Sequence, residues 1–344
     1  MALRLAASTT AAVPHDSLRM LHDRAMANPM AARGGQTALA RTAVQCMFML
    51  PSQSDKSWAA GARVRYDDWP ATHINQTRFI HNTGNFLTYH RYLTWTYERA
   101  LREACGYNGT QPYWKWFKYQ ADPTKNPLMD GSDTSMGGNG AYVEHNGTLA
   151  AGIVYLPSGP GGGCIERGPF ANLTVNLGPI NPAMRGMPAG VPDGTNTHNP
   201  RCLRRDLSTH ASAPWHTYAN LLNVTTGGPV VSSDVSVFQT ELQGRPPDTG
   251  FRVCTQAATT PSAATTRTNF SSAVDPLFWF HHAMGLHPGP VARGVMGTRL
   301  ARDASLSYTQ RSDVLEMGAT GQSRVLEDLL DTMGGTPACY IYEY

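Results

Sequence analysis

The stretch Tyr66-Asp-Asp-Trp-Pro-Ala-Thr-His73-Ile-Asn-Gln-Thr-Arg-Phe-Ile-His81-Asn-Thr-Gly-Asn-Phe-Leu-Thr-Tyr-His90-Arg-Tyr92 decides both the fold and the chemistry of this chain. His73, His81 and His90 fall within 18 residues, where 12 histidines in 344 predict fewer than one. The polar break Asn82-Thr-Gly-Asn85 divides the stretch into two helical segments. The second runs from about Phe86 to Cys105 and is closed by Gly106. Imidazole nitrogen is a borderline ligand that suits copper, zinc, iron or nickel. No carboxylate lies between His73 and His90, which favours an all-nitrogen site over a facial triad or a calcium site. A second histidine-bearing run follows far downstream, Asp275-Pro-Leu-Phe-Trp-Phe-His281-His282-Ala-Met284.

Outward from this stretch, the chain reads as a loop-rich globular protein. Its net charge of +3 leaves no electrostatic footprint for nucleic acid or an acidic membrane. Only 15% of residues are charged, against 33 glycines and 24 prolines, which excludes a coiled coil and a charged disordered chain. No apolar run reaches the roughly 18–20 residues of a membrane span. Helices are expected at Gln36–Leu50, on both sides of Asn82–Asn85, at Ser232–Gln243 and after Pro276. Residues 120–205 read as long irregular coil, and residues 1–35 show no clear pattern. Six cysteines stand far apart with no CxxC pair, which disfavours a zinc ribbon. Six N-x-S/T sequons, at Asn75, Asn108, Asn146, Asn172, Asn223 and Asn269, lean toward a secretory history. The segment Met1–Ser8 lacks the apolar core of a signal peptide.

The Tyr66–Tyr92 stretch resembles the first copper motif of the tyrosinase and catechol oxidase family, and more narrowly that of the short secreted fungal catechol oxidases. Gln111-Pro-Tyr-Trp-Lys-Trp116, Gly131-Ser-Asp-Thr-Ser-Met136, Asn199-Pro-Arg-Cys-Leu-Arg-Arg-Asp206 and Cys339-Tyr-Ile-Tyr342 are similar to further family segments. The resemblance covers residues 36–251, 274–284 and 314–344. It implies a mainly α fold: a central four-helix bundle carrying the copper ligands, surrounded by long irregular loops, within one domain at 36–344. It also implies two copper ions with three histidines each, and oxidation of o-diphenols or o-aminophenols to quinones. The partners expected are a phenolic small molecule and dioxygen, with no nucleic acid and no membrane, in a secreted protein. Position by position, His73, His81 and His90 match the ligands of the first copper. His282 matches the third ligand of the second, and Phe278, one turn earlier, matches the bulky residue that gates the pocket. Ala71 stands where some members carry a cysteine joined by a thioether to a ligand histidine. Disulfides Cys46–Cys105 and Cys164–Cys202 suit the placement of these residues near helix ends and in the loop region.

The pattern breaks at the second copper. The family places a His-x-x-x-His pair after a helix like Val237-Phe-Gln-Thr-Glu-Leu-Gln-Gly244 and before Asp-Pro-x-Phe, putting both rings on one helical face. Here that interval holds no histidine. His210 and His216 are six apart, precede the helix, match no ligand position and read as ordinary polar residues. The genetic code offers a reason. Shifted to the preceding third base, the Cys254–Thr255 codons give Tyr or His, and Ala258–Thr259 admit His. The string Val253–Thr266 can then read Val-His-x-Gly-Gly-His-Tyr-Thr-Ile-Gly-Gly-Asp, the missing pair with its spacing intact. Residues 252–273, and less clearly 285–313, thus read as translated out of frame. A transcript whose unbroken frame encodes Cys254-Thr-Gln-Ala-Ala258 would overturn this. The alternatives to an impaired copper oxidase are an inactive relative or frameshifted gene product holding at most one copper, and an oxygen carrier that binds dioxygen reversibly without turnover.

Overall fold

The computed structural model describes residues 35–81, 83–145, 147–150, 154–178, 196–226, 269–286, 298–300, 306–330 and 337. The helix expected at 232–243, the segment 252–268, Cys254 and Cys339 lie outside the described residues.

Helix α1 (Gly35–Met47), α2 (Asp68–Ile80), α3 (Phe86–Cys105) and α6 (Leu277–Leu286) form the core of the molecule, with α1 and α6 packed on α3. Two short helices, α4 (Thr209–Trp215) and α5 (Tyr218–Thr226), lie between α3 and α6 in sequence. The bounds of α3 match the sequence reading, and α2 lies on the expected side of the Asn82–Asn85 break. Gly106 ends α3 in the left-handed region at φ 65°, where its N–H and that of Tyr107 cap the carbonyls of Arg102 and Leu101.

Aromatic side chains fill the space between these helices. Phe48 stacks on Tyr66 at 4.2 Å, and Tyr97 stacks on Trp279 of α6 at 4.1 Å with Trp69 of α2 edge-on to it. The buried Tyr97 hydroxyl has no hydrogen-bond partner among the described residues, whereas the other polar ends are matched. Trp279 Nε1 donates to the Tyr66 hydroxyl, which donates to the Ala273 carbonyl, and Trp69 Nε1 donates to Thr96 Oγ1. The start of α2 is pinned by Asp68, whose buried carboxylate accepts from Ser52, Ser54 and the Gln53 N–H and pairs with Arg65.

The stretch read as irregular coil contains short antiparallel ladders. β1 (Gly140–Tyr142) pairs with β4 (Gly162–Ile165), β2 (Thr148–Ala150) with β3 (Val154–Leu156), and β5 (Thr174–Val175) with β6 (Arg201–Cys202). Ile165, Val175, Leu177 and Leu203 bury a small apolar cluster against Ala71 and Ile74 of α2, and polar contacts add to it. His145 Nε2 donates to Asp206, whose carboxylate also accepts from the N–H groups of Gly159 and Gly161. Arg205, fully buried, donates to the carbonyls of Met136, Gly137 and Gly138 and forms a two-pronged pair with Asp275. That pair fastens the loop layer to the residues that open α6, because Asp275 also accepts from the Leu277 N–H.

Both expected disulfides are present. Cys46–Cys105 joins the ends of α1 and α3, and Cys164–Cys202 joins β4 to β6. No described helix is long and apolar enough to cross a membrane.

Candidate metal centre

Helix α2 delivers His73 at mid-length into the core. His81 follows just past its end, where the backbone turns extended (φ −114°, ψ 142°), and α3 returns with His90 in its second turn. The break at residues 81–85 therefore folds the second helix back so that three histidines from two helices converge. One nitrogen from each ring lies within 4.8 Å of the others, and His73 Nε2 stands 3.3 Å from His90 Nε2. His73 and His90 are buried, while His81 keeps partial exposure at the rim.

Backbone carbonyls set the direction of two rings. His81 Nδ1 donates to the Thr77 carbonyl at 3.0 Å, and His90 Nδ1 donates to the Phe86 carbonyl at 2.8 Å, each four residues earlier. Nε2 of each ring is left as a lone-pair donor facing the cluster, the arrangement that second-sphere partners impose on metal-binding histidines. Loss of hydration, then repulsion from His73, pulls His81 down to about 3 against the weaker help of its carbonyl bond. Burial, then the charges of His81 and His73, holds His90 well below its ordinary value. The rings are thus neutral near pH 7, as metal binding requires. Neutral lone pairs converging with no carboxylate in the group suit a borderline cation such as copper. The residues present fit one such ion.

Helix α6 closes this group from the opposite side. The His282 ring stacks on His90 at 4.7 Å with 9° between planes, and its nitrogens do not join the three-histidine group. Phe278 lies edge-on to His73 at 5.2 Å and 4.1 Å from His282, so its ring seals the gap between the two histidine sets. Burial, followed by the charges of the surrounding histidines, holds His282 well below its ordinary value as well. Among the described residues, one histidine therefore faces the first three, where a second complete set needs three.

The sequence reading missed His216. His210 is exposed at the start of α4, but His216, one residue beyond that helix, is buried at 2% exposure. Its ring is stacked on Trp116 and edge-on to Trp114. Its six-residue spacing from His210 gave no sign of this, because the burial comes from the Trp114–Trp116 segment about a hundred residues earlier.

Residues 63–285 match the family model for the common central domain of tyrosinase. A tyrosinase-like protein from Emericella nidulans, orsC, is 40% identical over 260 residues, covering 70% of this chain and 66% of that protein. Tyrosinase P of Aspergillus terreus is 34% identical over 319 residues, covering 88% of this chain and 86% of its own length. A polyphenol oxidase variant from Thermothelomyces thermophila has a similar structure, with a TM-score of 0.80 at 32% identity over 96% of this chain and 93% of that one. With the histidine-bearing helices inside the matched region, the chain belongs to the tyrosinase family of oxidoreductases.

Proposed function

We propose that this polypeptide carries an impaired form of a copper centre built to oxidise o-diphenols, or o-aminophenols, to quinones with dioxygen. The convergence of His73, His81 and His90, with ring nitrogens within 4.8 Å of one another, carries the reading. These three would hold one copper, which supplies electron exchange with dioxygen that no side chain offers. The chain's own residues do the rest. Thr77 and Phe86 carbonyls aim the rings, and Phe278 covers the group and gates the phenol's approach. His282 is the one described residue that would offer an imidazole to a second ion. The sequence between the 237–244 segment and Asp275 supplies no partner for it. In this reading the family centre holds at most one copper in the chain as written, and residues 252–273 and 285–313 come from a shifted frame.

One copper-binding domain at 36–344 fits the spread of the matching segments. Export is favoured by two disulfides and by the exposure of Asn75, Asn108 and Asn172. The test is copper per chain by elemental analysis, together with quinone formation from catechol. His90→Ala is expected to remove one copper per chain, and the unaltered chain is expected to oxidise catechol at or near background. Unchanged copper content in His90→Ala would sink the first site. Rapid catechol turnover by the chain as written would sink the impairment.

A further inference from the structure

A cleft of about 370 Å³ opens where the end of α2 and the start of α3 meet the 312–316 segment. None of the residues that line it is a histidine, so it stands apart from the proposed copper group. Its frame is fixed on both sides. The Tyr89 hydroxyl donates to the Glu316 carbonyl at 3.2 Å, and Val314–Leu315 pairs with Arg324–Val325. Two of its walls are side-chain amides more than nine-tenths buried, Gln76 at 8% exposure and Asn85 at 5%. The Gln76 amide makes no hydrogen bond to another described residue. Asn85 stands at the N-cap of α3, where an asparagine ordinarily bonds a first-turn N–H, yet its side chain makes no such bond. Its oxygen accepts from the Thr83 hydroxyl at 2.5 Å, and its NH2 group has no partner among the described residues. Buried amides are matched in the great majority of cases, so two unmatched ones on the wall of one cleft point to a polar occupant.

The walls select the charge and shape of that occupant. Asp313 and Glu316 bring two carboxylates, and no lysine, arginine or histidine lines the cleft. An anion is therefore repelled and an ammonium attracted, more strongly in a half-enclosed cleft than in open water. Burial, then the charge of Glu316, raises the Tyr89 phenol above its ordinary value, so the field of that carboxylate reaches the inner wall. Phe79 and Tyr89 add two aromatic rings, whose faces attract a cation and pack against a flat apolar body. The volume falls in the range of small-molecule sites.

We propose that this cleft binds a small aromatic amine in its protonated form, with the ammonium held by Asp313, Glu316 and the Gln76 amide oxygen and the ring set against Phe79 and Tyr89. The probe is phenethylammonium, which has no phenol hydroxyl for the copper chemistry to act on. It is titrated calorimetrically into the full chain, beside phenylacetate and butylammonium. Saturable binding is expected, at least tenfold tighter than that of either comparison compound. Glu316→Gln and Gln76→Leu are each expected to weaken it at least fivefold, with the fold of each variant checked by circular dichroism. His282→Ala is expected to leave it unchanged. Absence of saturable binding, equal affinity for phenylacetate or butylammonium, or unchanged affinity in either cleft variant would overturn the proposal. Loss of binding in a folded His282→Ala would place the amine at the histidines and overturn it as well.

Discussion

At the scale of single residues, the recurring event is a histidine moved from water into a core that keeps it neutral. Burial lowers His216 to about 3, and burial with neighbouring charges pulls His90 and His281 well down. The sign of the consequence follows from linkage. Between about pH 6.5 and 3 the unfolded chain binds protons that the folded chain refuses, so stability falls as pH falls through that window. For the metal-free protein, urea midpoints are expected to change little from about pH 7.5 to 6.5 and to drop progressively from about pH 6.5 to 5.5. The slope should be on the order of 1 kcal/mol per pH unit for each such histidine below its unfolded value. A flat profile over that range would show that the rings are hydrated in solution. The identity of the first three histidines was legible in the sequence, because three in 18 residues without a carboxylate is a chemical pattern. The neutrality of His216 was not, because it depends on Trp114 and Trp116 covering it.

At the scale of elements, the α2–turn–α3 unit was readable because its signals are local: a polar break, an aromatic-rich helix and a terminal glycine. Gly106 meets nothing within 4 Å at its would-be Cβ, so its role is confined to its positive φ. Gly106→Ala is therefore expected to cost about 1 kcal/mol in chemical denaturation, with the metal group unaffected. The opening of α6 depends instead on a distant partner. Asp275 caps the Leu277 N–H and neutralises Arg205, which is fully buried. Asp275→Ala leaves that guanidinium uncompensated and is expected to cost about 3–5 kcal/mol, whereas the double change Arg205→Met with Asp275→Leu should recover much of the loss. Equal losses in the single and double variants would place the effect in the helix cap alone. The ladders within residues 140–202 were read as coil because strands of two to four residues carry no periodicity a sequence can show.

At the scale of the molecule, a covalent tie locks two of the core helices together at their ends. Cys46–Cys105 closes a sequence separation of 59 residues across the bundle. Replacing both cysteines by alanine is expected to lower stability by about 4 kcal/mol, read as a shift in denaturant midpoint under non-reducing conditions. A shift below 1 kcal/mol would mean that α1 docks on α3 by packing alone. The sequence by itself determined the family and the helices that bear His73, His90 and His282, with His81 at the break between the first two. Both rest on residue type and short-range spacing. Only the tertiary structure decided that His282 stacks on His90, that Phe278 lies against both His73 and His282, and that His216 and His281 each stack on Trp116. Those three facts depend on contacts between segments far apart in the chain, where the outcome is set by which surfaces exclude water together.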